Sequence, residues 1–189
     1  MTKARDLANG GFGLVLIKPS TVVNGTDNGK GTVSFSAAST VSLNGVFNST
    51  YENYRIVLSN LTASGATTGI QFRLRKSGSD NSSNIYWRQD LNVAATAVNA
   101  NRAQSTSWVV GAVRDQGPFN SVFDLTSPNQ ASIKTGLLCL FSFNSASEIQ
   151  SRFLAGTHDL ASSADFDGFS LIPESGTMSG NISVYGYNK

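Results

Sequence analysis

From about residue 31 onward the chain breaks into short runs that alternate apolar and polar side chains, each closed by Gly, Asn, Asp or Ser, and this rhythm points to an all-β fold. The runs cover residues 32–35, 40–43, 54–61, 68–75, 85–93, 107–113, 121–125, 134–143, 151–158, 168–172 and 181–187. Strands recurring at such intervals belong to sandwiches and barrels, in which each strand buries one face. The sharpest case is Ile70-Gln71-Phe72-Arg73-Leu74-Arg75, where Ile, Phe and Leu fall on one side and Gln and two Arg on the other. In the last run Ile182, Val184 and Gly186 oppose Ser183, Tyr185 and Tyr187. The expected fold is an antiparallel β-sandwich, jelly-roll-like, over residues 31–189, preceded by a short N-terminal arm over residues 1–30.

Two stretches depart from simple alternation. Leu137-Leu138-Cys139-Leu140-Phe141 is apolar at consecutive positions, which predicts a strand covered on one side by its own core and on the other by a loop or a second subunit. Residues 91–102 have some helical character, weakened by Val93, Thr96, Val98 and three Asn, and read as a loop or short helix. The arm combines about one and a half helical turns over its first nine residues, too few to be stable alone, with an apolar run Leu14-Val15-Leu16-Ile17 and an Asn/Gly-rich joint at residues 24–31. Such a segment folds against a partner, with Leu7, Leu14 and Leu16 buried and Lys3 and Arg5 meeting an acidic or carbonyl-rich surface. The competing reading makes residues 14–17 the first strand of the sandwich itself.

The polar inventory offers little for catalysis. Charged residues are 14% of the chain, well below the roughly 25% of an ordinary soluble domain, and the 14 Lys and Arg are too scattered to form a nucleic-acid-binding stripe. The single histidine, His158, has an adjacent Asp159, but no G-x-S-x-G elbow accompanies it, and it reads as a strand-end residue. The lone Cys139 excludes an intrachain disulfide and reads as a small core residue. Asp159, Asp165 and Asp167 cluster in sequence without the spacing of a calcium loop, and no cofactor motif occurs. No catalytic, metal or cofactor residue is therefore assigned. No apolar run approaches the ~18 residues of a membrane span and no signal-peptide pattern opens the chain, so assembly in a cytoplasm is expected. Tyr86 and Trp87, adjacent on one strand, must face opposite sides, which makes one of them a candidate for partner contact.

The segments Thr2-Lys3-Ala4-Arg5-Asp6-Leu7-Ala8, Val41-Ser42-Leu43-Asn44-Gly45-Val46-Phe47, Tyr51-Glu52-Asn53-Tyr54-Arg55-Ile56 and Ser183-Val184-Tyr185-Gly186-Tyr187 resemble structural β-sandwich proteins on the virions of marine and cyanobacterial tailed bacteriophages. The resemblance implies a virion role without catalysis, as a capsid-surface decoration or cement protein or a short fibre subunit. It also implies contact with other virion proteins and self-association, with a homotrimer favoured. The alternative is a tail fibre or adhesin module that binds host-surface carbohydrate.

Overall fold

A computed structural model of the chain describes residues 13–65, 67–94, 96–114, 118–145, 148–159 and 165–188. Its elements are the strands β1 (Leu14–Ile17), β2 (Thr21–Val23), β3 (Thr26–Asp27), β4 (Thr32–Ala38), β5 (Val41–Asn44), β6 (Asn53–Ala63), β7 (Thr67–Lys76), β8 (Ser79–Asp80), β9 (Tyr86–Ala94), β10 (Ala97–Ser105), β11 (Trp108–Arg114), β12 (Phe119–Thr126), β13 (Gly136–Ser145), β14 (Glu148–His158), β15 (Gly168–Pro173) and β16 (Met178–Tyr187). A ten-stranded sheet runs β10-β9-β14-β13-β12-β6-β16-β4-β3, with β1 also on β16. A six-stranded sheet runs β11-β7-β15-β5-β2, with β8 on β7. Every pairing between these strands is antiparallel. The expected all-β antiparallel sandwich is the observed architecture.

The core lies between the sheets. Ile70, Phe72 and Leu74 from β7, with Phe169 and Leu171 from β15, face Ile56, Leu58, Phe123, Leu125, Leu137 and Cys139 of the long sheet, and all are buried. Phe72 binds the layers together, its ring 5.2 Å edge-on to Phe123 across the gap and 4.9 Å from Phe169 beside it. Tyr54 Oη donates to the Asn48 carbonyl at 2.7 Å and accepts from the Asn48 N–H at 2.8 Å, so this buried phenol closes the loop before β6 without leaving a polar atom unmatched. Gly186 is small for a packing reason, because a Cβ there would stand 2.4 Å from the Tyr51 ring.

Two expectations change. Residues 14–27, placed in the arm by the sequence reading, supply strands to both sheets: Leu14–Ile17 pairs with β16, Thr21–Val23 with β5 and Thr26–Asp27 with β4. The joint at residues 24–31 contains β3 and the tight turn that joins it to β4. The Asp27 carboxylate accepts from the N–H groups of Gly29 and Gly31, and the Asn28 side chain from those of Lys30 and Thr32. These short side chains close the turn. Residues 91–102 are neither loop nor helix but the hairpin of β9 and β10, in register from Ala94 opposite Ala97 to Tyr86 opposite Ser105. The β-branched residues and Asn that weakened a helix there suit this exposed ribbon.

Candidate functional site

The feature that separates this sandwich from a self-sufficient one is the outer face of the long sheet. On β13 Leu137, Cys139 and Phe141 point into the core, so Leu138 and Leu140 point out, 49% and 62% exposed. Strand register extends this into a row perpendicular to the strands: Val57 opposes Val122, Val122 opposes Leu140, Leu140 opposes Phe153, Phe153 opposes Leu91 and Leu91 opposes Ala100. Val93 and Val98 oppose each other on the same face, two residues farther along the strands. Val122, Leu138, Leu140, Phe153, Leu91, Val93 and Val98 are all at least 40% exposed. Directly opposed side chains on one face lie ~5 Å apart, which makes the surface continuous.

Beneath this row the pattern inverts. Arg88, Asp90 and Asn92 of β9 share the inward side with Tyr86, and Arg152 of β14 shares it with Leu154 and His158. Asp90 is buried and accepts from Arg152 Nε at 2.6 Å. Burial, then the neighbouring Arg152 charge, pushes the Arg88 guanidinium below its ordinary pKa. An inner side carrying charge and an outer side carrying Leu, Val and Phe is the reverse of a strand that faces solvent outward.

Charge on the outer face sits at its margins. Arg55 grips Asp124 through two hydrogen bonds of 2.8 Å, and Tyr187 Oη donates to the same carboxylate at 2.8 Å. The guanidinium beside it holds Asp124 below the usual carboxylate range. At the opposite margin Arg102 lies 5.1 Å over the Trp87 ring, a cation–π contact. Trp87, Gln89, Arg102, Ala155 and Thr157 line an open hollow of about 330 Å³ there.

Of the residues singled out for partner contact, Trp87 is outward and half-buried, whereas Tyr86 is fully buried. Its phenol accepts from the Leu74 N–H at 3.0 Å and donates to the Asn81 carbonyl at 2.7 Å, so contact with a partner is excluded for Tyr86. Leu14 and Leu16 are 41% and 36% exposed although β1 is part of the sheet. Lys3, Arg5 and Leu7 lie outside the described residues. The sequence flagged Leu138 and Leu140 through their consecutive apolar run. It missed Leu91, Val93, Val98, Val122 and Phe153, and the only signal available was the charge placed beside them, as in Arg152-Phe153 and Asp90-Leu91.

The residues weighed for chemistry are tied up elsewhere. His158 is enclosed by Tyr86, Phe166 and Trp108 at ring distances of 4.5, 5.1 and 6.3 Å, and neither ring nitrogen has a hydrogen-bond partner among the described residues. Burial pushes its pKa down to about 4. The Trp108 indole that helps form this cage fits because β14 has Gly156 there: a Cβ would stand 2.5 Å from Nε1, which donates to the Trp87 carbonyl at 2.9 Å. Cys139 is buried with its thiol pushed up to about 12 by desolvation, so it is not a nucleophile. Asp159 pairs with Lys134, Asp165 with Lys76, and Asp167 accepts from the Ser77 N–H at 3.0 Å. Among the described residues no group of three His, Cys, Asp or Glu side chains is placed to hold a metal ion.

No protein-family model matches the chain, and no curated protein matches it. Among solved structures it is similar to galectin LEC-6 of Caenorhabditis elegans, with a TM-score of 0.37 and 8% identity over 90% of this chain and 99% of the galectin. It is also similar to a Shewanella oneidensis MR-1 protein of unknown function, with a TM-score of 0.32 and 14% identity over 92% and 78% of the two chains. A laminarinase from Flavobacterium sp. UMI-01 follows, with a TM-score of 0.25 and 10% identity over 86% and 82%. Likenesses this distant transfer no site and no activity.

Proposed function

We propose that this chain is a non-catalytic structural protein of a tailed-bacteriophage virion, a capsid-surface decoration or cement protein or a short fibre subunit. In this reading the sandwich associates with other copies and the N-terminal residues dock on another virion protein. The observation that carries it is the apolar outer face, where seven large hydrophobic side chains at least 40% exposed gather on one side of one sheet. Contiguous apolar surface on this scale marks assembly. The docking end would comprise residues 1–12 and the neighbouring β1, which exposes Leu14, Val15 and Leu16 at 36–41%.

Purified particles of the encoding phage test the reading. The chain should be found by mass spectrometry in many copies per particle and located on the capsid surface or tail by reconstruction. Its absence from washed particles, or a glycan-cleaving activity of the purified protein, would rule the proposal out.

One observation favours a second reading, an adhesin module for host-surface carbohydrate. The open hollow beside Trp87 offers an aromatic ring with Gln89, Arg102 and Thr157 around it, the combination on which sugars stack and donate hydrogen bonds. A glycan array in which binding is lost with Trp87→Ala would select this reading over the first.

A further inference from the structure

We infer that the outer face of the long sheet is covered by the same face of a second copy of this chain, in a two-fold, face-to-face pair centred between Leu140 and Phe153. The inference rests on the reading of that face as an assembly surface and adds the partner and the symmetry.

Area is the first argument. At their exposures of 40 to 67% the seven residues display on the order of 600 Å² together, at the top of what a monomer's largest apolar patch shows and close to the ~800 Å² per partner of a standard interface. The flanking Ser142, Ser151, Ala155 and Thr157 are outward on the same strands and supply the remainder. Shape is the second. The face belongs to one sheet, and two such sheets stack at ~10 Å with their side chains interleaved. A two-fold axis parallel to the strands reverses the row, setting Phe153 against Leu140, Leu91 against Val122 and Ala155 against Leu138. Each of these contacts is apolar on both sides.

Charge is the third argument. The charged outward side chains of β6, β9, β10, β12, β13 and β14 among the described residues are Arg55, Asp124 and Arg102, all at the margins, with Arg55 and Asp124 paired to each other. The same reversal sets Gln89 against Asp124 and Arg102 against Arg55, so like charges approach only at the margin, where Asp124 already pairs with Arg55, and none meet at the centre of the pair. The same arrangement argues against the three-fold association implied by the resemblance. A three-fold ring needs two different patches on every subunit, whereas one self-complementary patch closes with two copies.

Sedimentation velocity on the full chain from about 1 to 100 µM tests this. The unaltered protein should sediment at twice the chain mass. Leu140→Arg should raise the dissociation constant at least about a hundredfold, as expected of a central contact. Val98→Arg, on the exposed hairpin where folding tolerates the change, should weaken the pair by about tenfold. Ser34→Arg, outward on the distant β4 of the same sheet, should leave the pair intact. Chain mass at 100 µM, a three-copy species, or a pair insensitive to both Leu140→Arg and Val98→Arg would overturn the inference. The two readings fail separately: a monomer found on virions removes the pair and keeps the virion role, and a pair absent from virions does the opposite.

Discussion

Strands β7 and β9 use alternation in opposite senses. On β7 Ile70, Phe72 and Leu74 are sealed in the core while Gln71, Arg73 and Arg75 point away from it. Arg75 reaches Ser42, Ser170 and Asp80, tying β5, β15 and β8 together. On β9 Arg88, Asp90 and Asn92 turn inward, and Leu91 and Val93 turn outward, 44% and 43% exposed. Identical periodicity thus serves a face that the chain covers by itself and a face that it leaves apolar. The difference lies in the sheets: ten strands against six leave one end of the long sheet beyond the short one. There the buried side carries the Asp90–Arg152 ion pair, and apolar side chains occupy the side where a neighbour fits.

The strongest way to break this comparison is to truncate one member of each pattern. Phe72→Ala removes a ring packed against Phe123, Phe169 and Trp108 and should cost about 3–5 kcal/mol in urea unfolding. Leu91→Ala, the same kind of change on the outer face, should alter the stability of the dissociated chain by no more than about 0.5 kcal/mol. Equal losses would mean that Leu91 is packed within the monomer and that the two patterns are not opposed.

Asp90→Ala addresses the inward charges. Arg152 would keep its place with its partner gone, and a buried ion missing its counter-charge is destabilising. Because the Arg152 side chain keeps 21% exposure, the expected loss is about 3 kcal/mol, at the low end of the range for broken buried pairs. Replacing both residues with apolar ones, Asp90→Leu with Arg152→Met, should recover much of that loss. A double variant no more stable than Asp90→Ala would show that the pair holds the register of β9 on β14 and is more than a paired burial.

Acid probes the same inward side. The His158 pKa falls from an ordinary 6.5 to about 4 because burial disfavours the imidazolium. Between these values the unfolded chain binds the proton and the folded one does not, so stability is complete above pH 6.5 and declines as pH falls toward 4. The total is about 3 kcal/mol from this one group. His158→Phe, which keeps an aromatic ring in the cage, should flatten that part of the pH–stability curve, measured by urea unfolding at pH 4.5 and 7. An unchanged slope would place the acid sensitivity elsewhere.

How far these opposed patterns were legible beforehand differs between them. The sandwich was readable because runs such as 70–75 alternate cleanly and the turns between runs carry Gly, Asn and Asp. The outward Leu138 and Leu140 were readable because adjacent apolar residues on a strand cannot all face inward. Leu91, Val93 and Phe153 were not, since alternation gives two faces without saying which meets the core. That choice is made by Tyr86, whose ring packs against Trp108 of β11 across the gap, a non-local contact. β1 was ambiguous for a related reason. Four apolar residues in a row suit both an attachment segment and a strand, and pairing with β16, at the far end of the chain, decided it. Trp87 was half-determined: its opposition to Tyr86 followed from adjacency, and its direction followed only from Trp108.

The smallest expected effect is the one that best reports whether the outer face is covered. Arg55 and Asp124 lie at its margin with side chains 37% and 30% exposed, and pairs exposed to this degree contribute about 0.2–1 kcal/mol. A double-mutant cycle with Arg55→Ala and Asp124→Ala, run in the Leu140→Arg background where the chain is single, should give a coupling of about 0.5 kcal/mol that fades in 1 M salt. Tyr187 donates to the same carboxylate, so Tyr187→Phe belongs in both arms of the cycle. In the unaltered chain the neighbouring copy would exclude water from this margin, and the coupling should rise and lose part of its salt dependence. Equal couplings in the two backgrounds would mean that the margin is as wet in the assembled state as in the single chain, and would confine the contact to the row through Leu140 and Phe153.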